Sequence, residues 1–288
     1  MTRRRRVSAI GACCIGAFCS LTTAALLKAR PPGGVDRWTR KNHAGRPITL
    51  FEGPAYAVGA VAGALAGGAG APAAVAGLGA CAFGALDDVV GDSSSKGLRG
   101  HLASARRGKV TTGTIKIVGL GVTGLLTAWI ADRSSERAGA MTTLVGGAVI
   151  AGSANIANLL DLRPGRALKV VLLLAVPIVA GGRGTHLPVA TAGAAAGAAI
   201  GVLPDDLAGR SMLGDTGANS AGALIGTALV ARTGPRGRLV ALAVVTALTL
   251  ASERVSFTKV IESTPGLREL DALGRSPRPS PHGGPAAR

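Results

Sequence analysis

The chain has 288 residues, 48% of them hydrophobic but only 2% aromatic, with 44 glycines, a mean hydropathy of +0.39 and a net charge of +17. A water-soluble core of this size needs Phe, Tyr and Trp to fill it, whereas Gly and Ala are what closely packed membrane helices use, so a large soluble domain is disfavoured. The basic residues sit in loops between apolar blocks, with no aromatic platform for bases, which reads as membrane topology rather than nucleic-acid binding.

Charge is largely excluded from blocks of about 17–25 residues, the length a spanning helix needs. Nine spans are predicted, near 7–27, 52–70, 72–90, 112–131, 139–159, 167–181, 186–203, 217–231 and 238–252. The sixth is short and holds Pro177, so it is expected to be kinked or half-inserted. The expected fold class is therefore all-α: a polytopic integral membrane protein of about nine transmembrane helices with short cytoplasmic loops, in the cell membrane. Residues 1–252 form the transmembrane domain, 253–273 a cytoplasmic C-terminal segment, and 274–288 a Pro- and Gly-rich disordered tail. Alternating the spans puts the loops 28–51, 91–111, 160–166, 204–216 and the tail on the more basic side, which is read as cytoplasmic. Arg3, Arg4, Arg5 and Arg6 then fall outside, against the charge rule; either the later loops override the first helix or the count is off by one. Cys13, Cys14, Cys19 and Cys81 match neither a zinc spacing nor a disulfide framework and read as inert small core residues.

Three acidic clusters interrupt this apolar chain, all on the predicted cytoplasmic side. Before them comes a basic loop, Arg40-Lys41-Asn42-His43-Ala44-Gly45-Arg46, able to hold phosphates or simply to set topology. Asp87-Asp88 ends the third span, where a helix C-terminus disfavours anions, so a functional pair is the better reading. Lys96 to His101 forms a second basic loop. Asn155, Asn158 and Asp161 fall three apart on one polar helix face, and Arg163, Arg166 and Lys169 follow, a combination that suits hydroxyls and phosphates or, equally, a helix cap followed by a Pro164-Gly165 turn. Asp205-Asp206 has no such context and reads as a solvated loop pair. Gly214-Asp215-Thr216-Gly217 precedes the eighth span; its glycines would let a ligand approach the backbone, and Asp215 would sit at a helix N-terminus, as a site residue or as an N-cap.

Taken in order, these residues resemble the polyprenyl-phosphate N-acetylhexosamine-1-phosphate transferases, the family of the phospho-N-acetylmuramoyl-pentapeptide transferase. The resemblance covers about 37 to 231. The family's basic first loop falls on Arg40 to Arg46, and its acidic pair on Asp87-Asp88. Its Asn-x-x-Asp-x-x-Asp motif falls on Asn155, Asn158 and Asp161, with Asn158 in place of the middle Asp. Its Gly-Asp-x-Gly-Ser motif falls on Gly214 to Ala218, with Ala218 in place of Ser. The resemblance implies transfer of a sugar-1-phosphate from a UDP-sugar to a polyprenyl phosphate at the cytoplasmic face, in cell-envelope synthesis. It implies catalytic roles for Asp87, Asp88 and Asp215, Mg²⁺ on Asp215, and substrate contacts from Asn155, Asn158, Asp161, Lys96, His43 and Arg40. The partners are then the lipid, the UDP-sugar and the membrane, with a homodimer left open.

The sequence departs from the family where residues 252–265 carry no histidine, where Leu162-Arg163-Pro164-Gly165-Arg166 follows the third acidic residue, and where a tenth span is missing. These departures leave open the identity of the donor and the retention of activity. The competing expectation is a non-catalytic membrane partner on the same scaffold that binds lipid-linked intermediates or envelope-assembly proteins, with 253–275 as its docking surface.

Overall fold

The computed structural model describes residues 9–41, 45–90, 104, 107–108, 111–133, 139–181 and 186–275. Nine long helices follow in order: α1 (Ala9–Ala29), α2 (Glu52–Ala66), α3 (Ala71–Val90), α4 (Thr112–Asp132), α5 (Ala140–Leu160), α6 (Arg166–Ala180), α7 (His186–Leu207), α8 (Gly214–Arg232) and α9 (Pro235–Ser252). Two short helices, α10 (Phe257–Ser263) and α11 (Leu267–Ala272), close the described chain. Between α1 and α2 lies an antiparallel hairpin of β1 (Thr39–Lys41) and β2 (Pro47–Thr49).

The protein is thus all-helical, and six of its helices, α1, α3, α4, α5, α7 and α9, are long and apolar enough to cross a membrane. The nine predicted spans coincide with nine helices, but the expected count of nine crossing segments is not met by length and hydropathy. Helices α2 and α6 have 15 residues each, a length of about 22 Å against a hydrocarbon layer of about 30 Å. Helix α8 is long enough, but it opens with the polar run Gly-Asp-Thr-Gly-Ala-Asn-Ser.

That polar opening is tolerated because α8 is the central helix. It packs against α2, α3, α5, α6 and α7, and 15 of its 19 residues are buried. A helix surrounded on all sides needs no polar face for solvent. Small residues make the enclosure possible. A Cβ on Gly222 would sit 2.6 Å from Ala154 Cα of α5, and one on Gly84 of α3 would sit 2.7 Å from Thr216 N of α8. Only glycine permits those approaches, and backbone proximity of this kind is what holds helices together where lipid competes for apolar contact. Helix α1 lies outside this group against α2 and α7. Helix α9 is the most peripheral, with Arg238 as its one buried residue. The cysteines are not core residues as expected: Cys14 is exposed, and the other three are half-buried.

Chain direction then gathers one set of termini. The ends of α1, α3, α5, α7 and α9 and the starts of α2, α4, α6 and α8 share one face of the bundle. The β-hairpin is fixed on that face, because Thr49 forms a parallel bridge to Ser211 just before α8. The Thr49 N–H donates to Arg210 O (3.2 Å), and the Met212 N–H donates to Thr49 O (3.0 Å).

Candidate active site

On this face the three acidic clusters meet. Asp87 ends α3, Asp215 begins α8, and between them stands Lys116 from the first turns of α4. The Lys116 ammonium pairs with Asp87 Oδ2 at 2.7 Å and with Asp215 Oδ2. All three side chains are about one-fifth exposed (Lys116 17%, Asp87 20%, Asp215 19%), so the triad is accessible from outside yet screened less than a surface pair.

Asp88 points the other way and does a different job. Its Oδ1 accepts the backbone N–H of Asp215 (3.1 Å), and its Oδ2 accepts the N–H (2.9 Å) and hydroxyl (2.6 Å) of Thr216. The first N–H groups of a helix lack intrahelical partners and carry a partial positive charge. Asp88 therefore caps α8 from a neighbouring helix, and Asp215 is not the N-cap of its own helix. One turn before Asp88, Gly84 lets α3 come close enough for this to happen. Arg40 Nη2 in turn donates to the backbone carbonyl of Asp88 (2.8 Å), which ties the hairpin to the acidic pair.

Gly214 and Gly217 do not leave room for a ligand at the backbone as expected. A Cβ on Gly217 would lie 2.6 Å from Gly53 Cα, and one on Gly214 would lie 2.9 Å from Asp88 Oδ2. Protein fills both places. Gly214 also has φ +59°, a left-handed conformation that turns the chain into α8.

Of the Asn-Asn-Asp face, Asn155 and Asn158 lie half-buried in the last turns of α5. Asp161 sits just past the helix as its C-cap, 6% exposed. It lies beside the Gly214 backbone at the start of α8, and so joins the same site. Burial, reinforced by nearby Asp206, pushes its carboxyl well above the ordinary carboxylate range. Its Oδ2 has no partner among the described residues.

Asp205 and Asp206 are not a solvated loop pair. They belong to the last turn of α7. Asp206 is 2% exposed and accepts the Gly165 N–H at 2.9 Å, fixing the turn that carries Asp161. Asp205 is bound by Lys28 of α1 and by Arg210 (2.6 Å). Beside them Glu52 opens α2, also 2% exposed, with neither carboxylate oxygen bonded by a described residue.

The basic run after Asp161 is not free for phosphate either. Arg166 is 3% exposed and makes a two-pronged pair with Asp271 of α11 (2.8 and 3.0 Å), with a third bond to Thr258 of α10. Arg163 pairs with Glu262 (2.8 Å), and Lys169 donates to the backbone carbonyls of Leu270 and Asp271 (3.1 and 2.7 Å). These cations clamp the C-terminal segment to the bundle. Burial pushes Asp271 up, but Arg166 and Arg275 outweigh it and hold its carboxyl below the ordinary value of 3.8. A depressed folded value means that this contribution is present above the ordinary value and is lost as pH falls through the folded one. Segment 257–275 is therefore expected to resist proteolysis near neutrality and to open to pepsin only below about pH 4, read by the fragment pattern.

His43 and Lys96 lie outside the described residues, as do His101, Arg106 and Lys109 of the second basic loop. Among the described residues the group that sequence reasoning missed is Lys116, together with Thr216 and Asp206. A lone ammonium inside the apolar run 112–132 was the available signal.

No protein-family model matches this chain, and no curated protein matches it. What the structure defines is a class: a helical protein with membrane-spanning character and a polar, carboxylate-rich site at one end of its bundle.

Proposed function

We propose that the chain is a membrane phosphoglycosyl transferase that crosses the membrane nine times, with α2, α6 and α8 completing the six more apolar spans. The observation that carries the reading is the convergence of Asp87, Lys116, Asp88, Asp215 and Asp161 from four separate helix ends at one face. Solitary charges at membrane-helix ends are costly, and a site that gathers both signs around shared space suits phosphate chemistry.

In the proposed reaction an oxygen of a polyprenyl phosphate bonds to the β-phosphorus of a UDP-sugar. The bond from that phosphorus to the bridging oxygen breaks, and UMP leaves with the electron pair. Asp88 is committed to the α8 N-terminus, so Asp87 is the member of the pair left to orient the lipid phosphate and to take its proton at Oδ2. Lys116 Nζ, already between two carboxylates, binds phosphate oxygens and holds negative charge as it shifts towards the leaving group. Asn155 and Asn158 offer amide donors and acceptors to the sugar nucleotide, and Asp161 Oδ2 offers a further polar contact. Arg40, held on Asp88, brings β1 to the same face.

The donor set fits Mg²⁺. Asp215 supplies hard carboxylate oxygens. Mg²⁺ typically takes one or two carboxylates and completes its shell with substrate phosphates and water. Among the described residues no group of three His, Cys, Asp or Glu could by itself cage a metal, so a site shared with substrate is the arrangement these residues allow. Held there, Mg²⁺ would supply positive charge to neutralise what develops on the transferred phosphate.

The test is Mg²⁺-dependent release of UMP by purified protein in detergent, with undecaprenyl phosphate and a panel of UDP-sugars. Release dependent on both lipid and Mg²⁺ is the expected result, and it names the donor. Silence across the panel while radiolabelled lipid still binds would replace this reading with that of a non-catalytic lipid-binding partner.

A further inference from the structure

The C-terminal pair α10 and α11 leaves aliphatic side chains exposed beside the polar ones that hold it to the bundle. On α10, Thr258 and Glu262 face the bundle, where they bond Arg166 and Arg163. At about 100° per residue, Val260 lies diametrically opposite them, with the half-buried Phe257 and Ile261 on one side of it and the exposed Lys259 and Ser263 on the other. On α11 the buried Asp271 faces the bundle. Leu267 and Leu270 take one flank, and Arg268 and Glu269, paired with each other at 2.7 Å, take the other. Val255, Val260, Leu267, Leu270 and Leu273 are 41–66% exposed. So Thr258, Asp271 and Glu262 hold the pair to the bundle, while Val260, Leu267 and Leu270 stay exposed beside Lys259, Arg268 and Glu269.

Position says what meets that outer side. Only residues 253–256 separate α10 from α9, a reach of at most about 14 Å. Helix α9 exposes Leu248 (39%) and Leu250 (59%) in its final turns, and the aliphatic surface continues through Val255 (47%). The headgroup zone of each leaflet is roughly 5–8 Å deep beyond the hydrocarbon, so the hairpin begins within or beside it. We infer that α10 and α11 form an interfacial anchor, clamped to the bundle through Arg163 and Arg166 and lying with Val260, Leu267 and Leu270 in the lipid headgroup layer at the end of the bundle that carries the carboxylates. Helices lying in that layer place their apolar side about 5–10 Å into the acyl boundary. The inference stands whether or not the protein is a transferase.

The experiment uses the full chain, reconstituted in phosphatidylcholine–phosphatidylglycerol vesicles whose acyl chains are brominated next to the headgroup. Val260→Trp, Leu270→Trp and Arg268→Trp are compared, each read as the increment over the two native tryptophans. Bromolipid should cut the increments at 260 and 270 roughly two-fold and leave that at 268 little changed. Equal, weak bromolipid quenching at all three, with aqueous iodide reaching each, would overturn the anchor in favour of a water-facing segment. Shielding of 260 and 270 from both quenchers would overturn it in favour of a second protein surface. Retained resistance of residues 257–275 to proteinase K near neutral pH checks that each variant keeps its clamp.

Discussion

Asp215→Asn is expected to lower turnover on the order of 10³-fold or more, with the loss in kcat rather than KM. The substitution is isosteric and leaves the backbone N–H that Asp88 caps, so α8 keeps its start. What disappears is one of the two charges that Lys116 bridges. Lys116→Met removes the other half of the same arrangement. It leaves Asp87 and Asp215 facing each other without their cation and is expected to cost about 10²–10³-fold. Both are read by UMP release under saturating UDP-sugar, with thermal unfolding in the same detergent as the control for folding. An Asp215→Asn protein that matches the unaltered one would remove Asp215 from the chemistry and, with it, the proposed metal site.

The second large effect lies at the opposite end of the bundle and concerns stability alone. Arg238 of α9 is held by Asp132 of α4 through two 2.7 Å bonds, with side chains 7% exposed on each side. Thr143 of α5 donates to the same carboxylate (2.9 Å). Arg238 reaches the carbonyls of Thr142 (3.1 Å) and Val230 (3.2 Å). Four helices are thereby joined at one buried pair. Arg238→Ala strands the Asp132 carboxylate without its counter-charge and should destabilise the fold by about 3–5 kcal/mol. It should also free α9, for which Arg238 is the one buried residue. The double variant Asp132→Leu with Arg238→Met should recover most of that loss, since replacing both partners removes the unpaired charge. Reversible unfolding in mixed detergent measures both. Additive losses in the double variant would show that the pair is not the fastening point of α9.

Much of the helical layout was legible because each long helix is written as a local pattern. The apolar blocks ended at or near the ends of α1, α3, α4, α5 and α9, though short of the last turn of α7, and Asp87-Asp88 and Asp215 stood out because charge is costly next to apolar runs. Other residues were misread because their meaning depends on a partner far along the chain. Asp206 looked like a loop acid until the turn at Gly165 came to rest on it, 41 residues away. Arg166 looked like a phosphate ligand until Asp271, 105 residues away, occupied it. Asp88 looked equivalent to Asp87 until Thr216 claimed both the N–H and the hydroxyl contact to one of its oxygens.

The sequence by itself determined the all-helical architecture, its membrane-spanning character and the short list of carboxylates near helix ends. Periodicity, block length and the cost of isolated charge act within a few turns of one helix, and so can be read from neighbouring residues. The tertiary structure alone decided which of those carboxylates share a cation, which cap a neighbouring helix and which clamp the C-terminal hairpin. Those assignments turn on ångström-scale approaches between helices, set by glycines such as Gly84 against Thr216 and Gly53 against Gly217. Such distances are fixed when distant segments pack, and no local pattern encodes them.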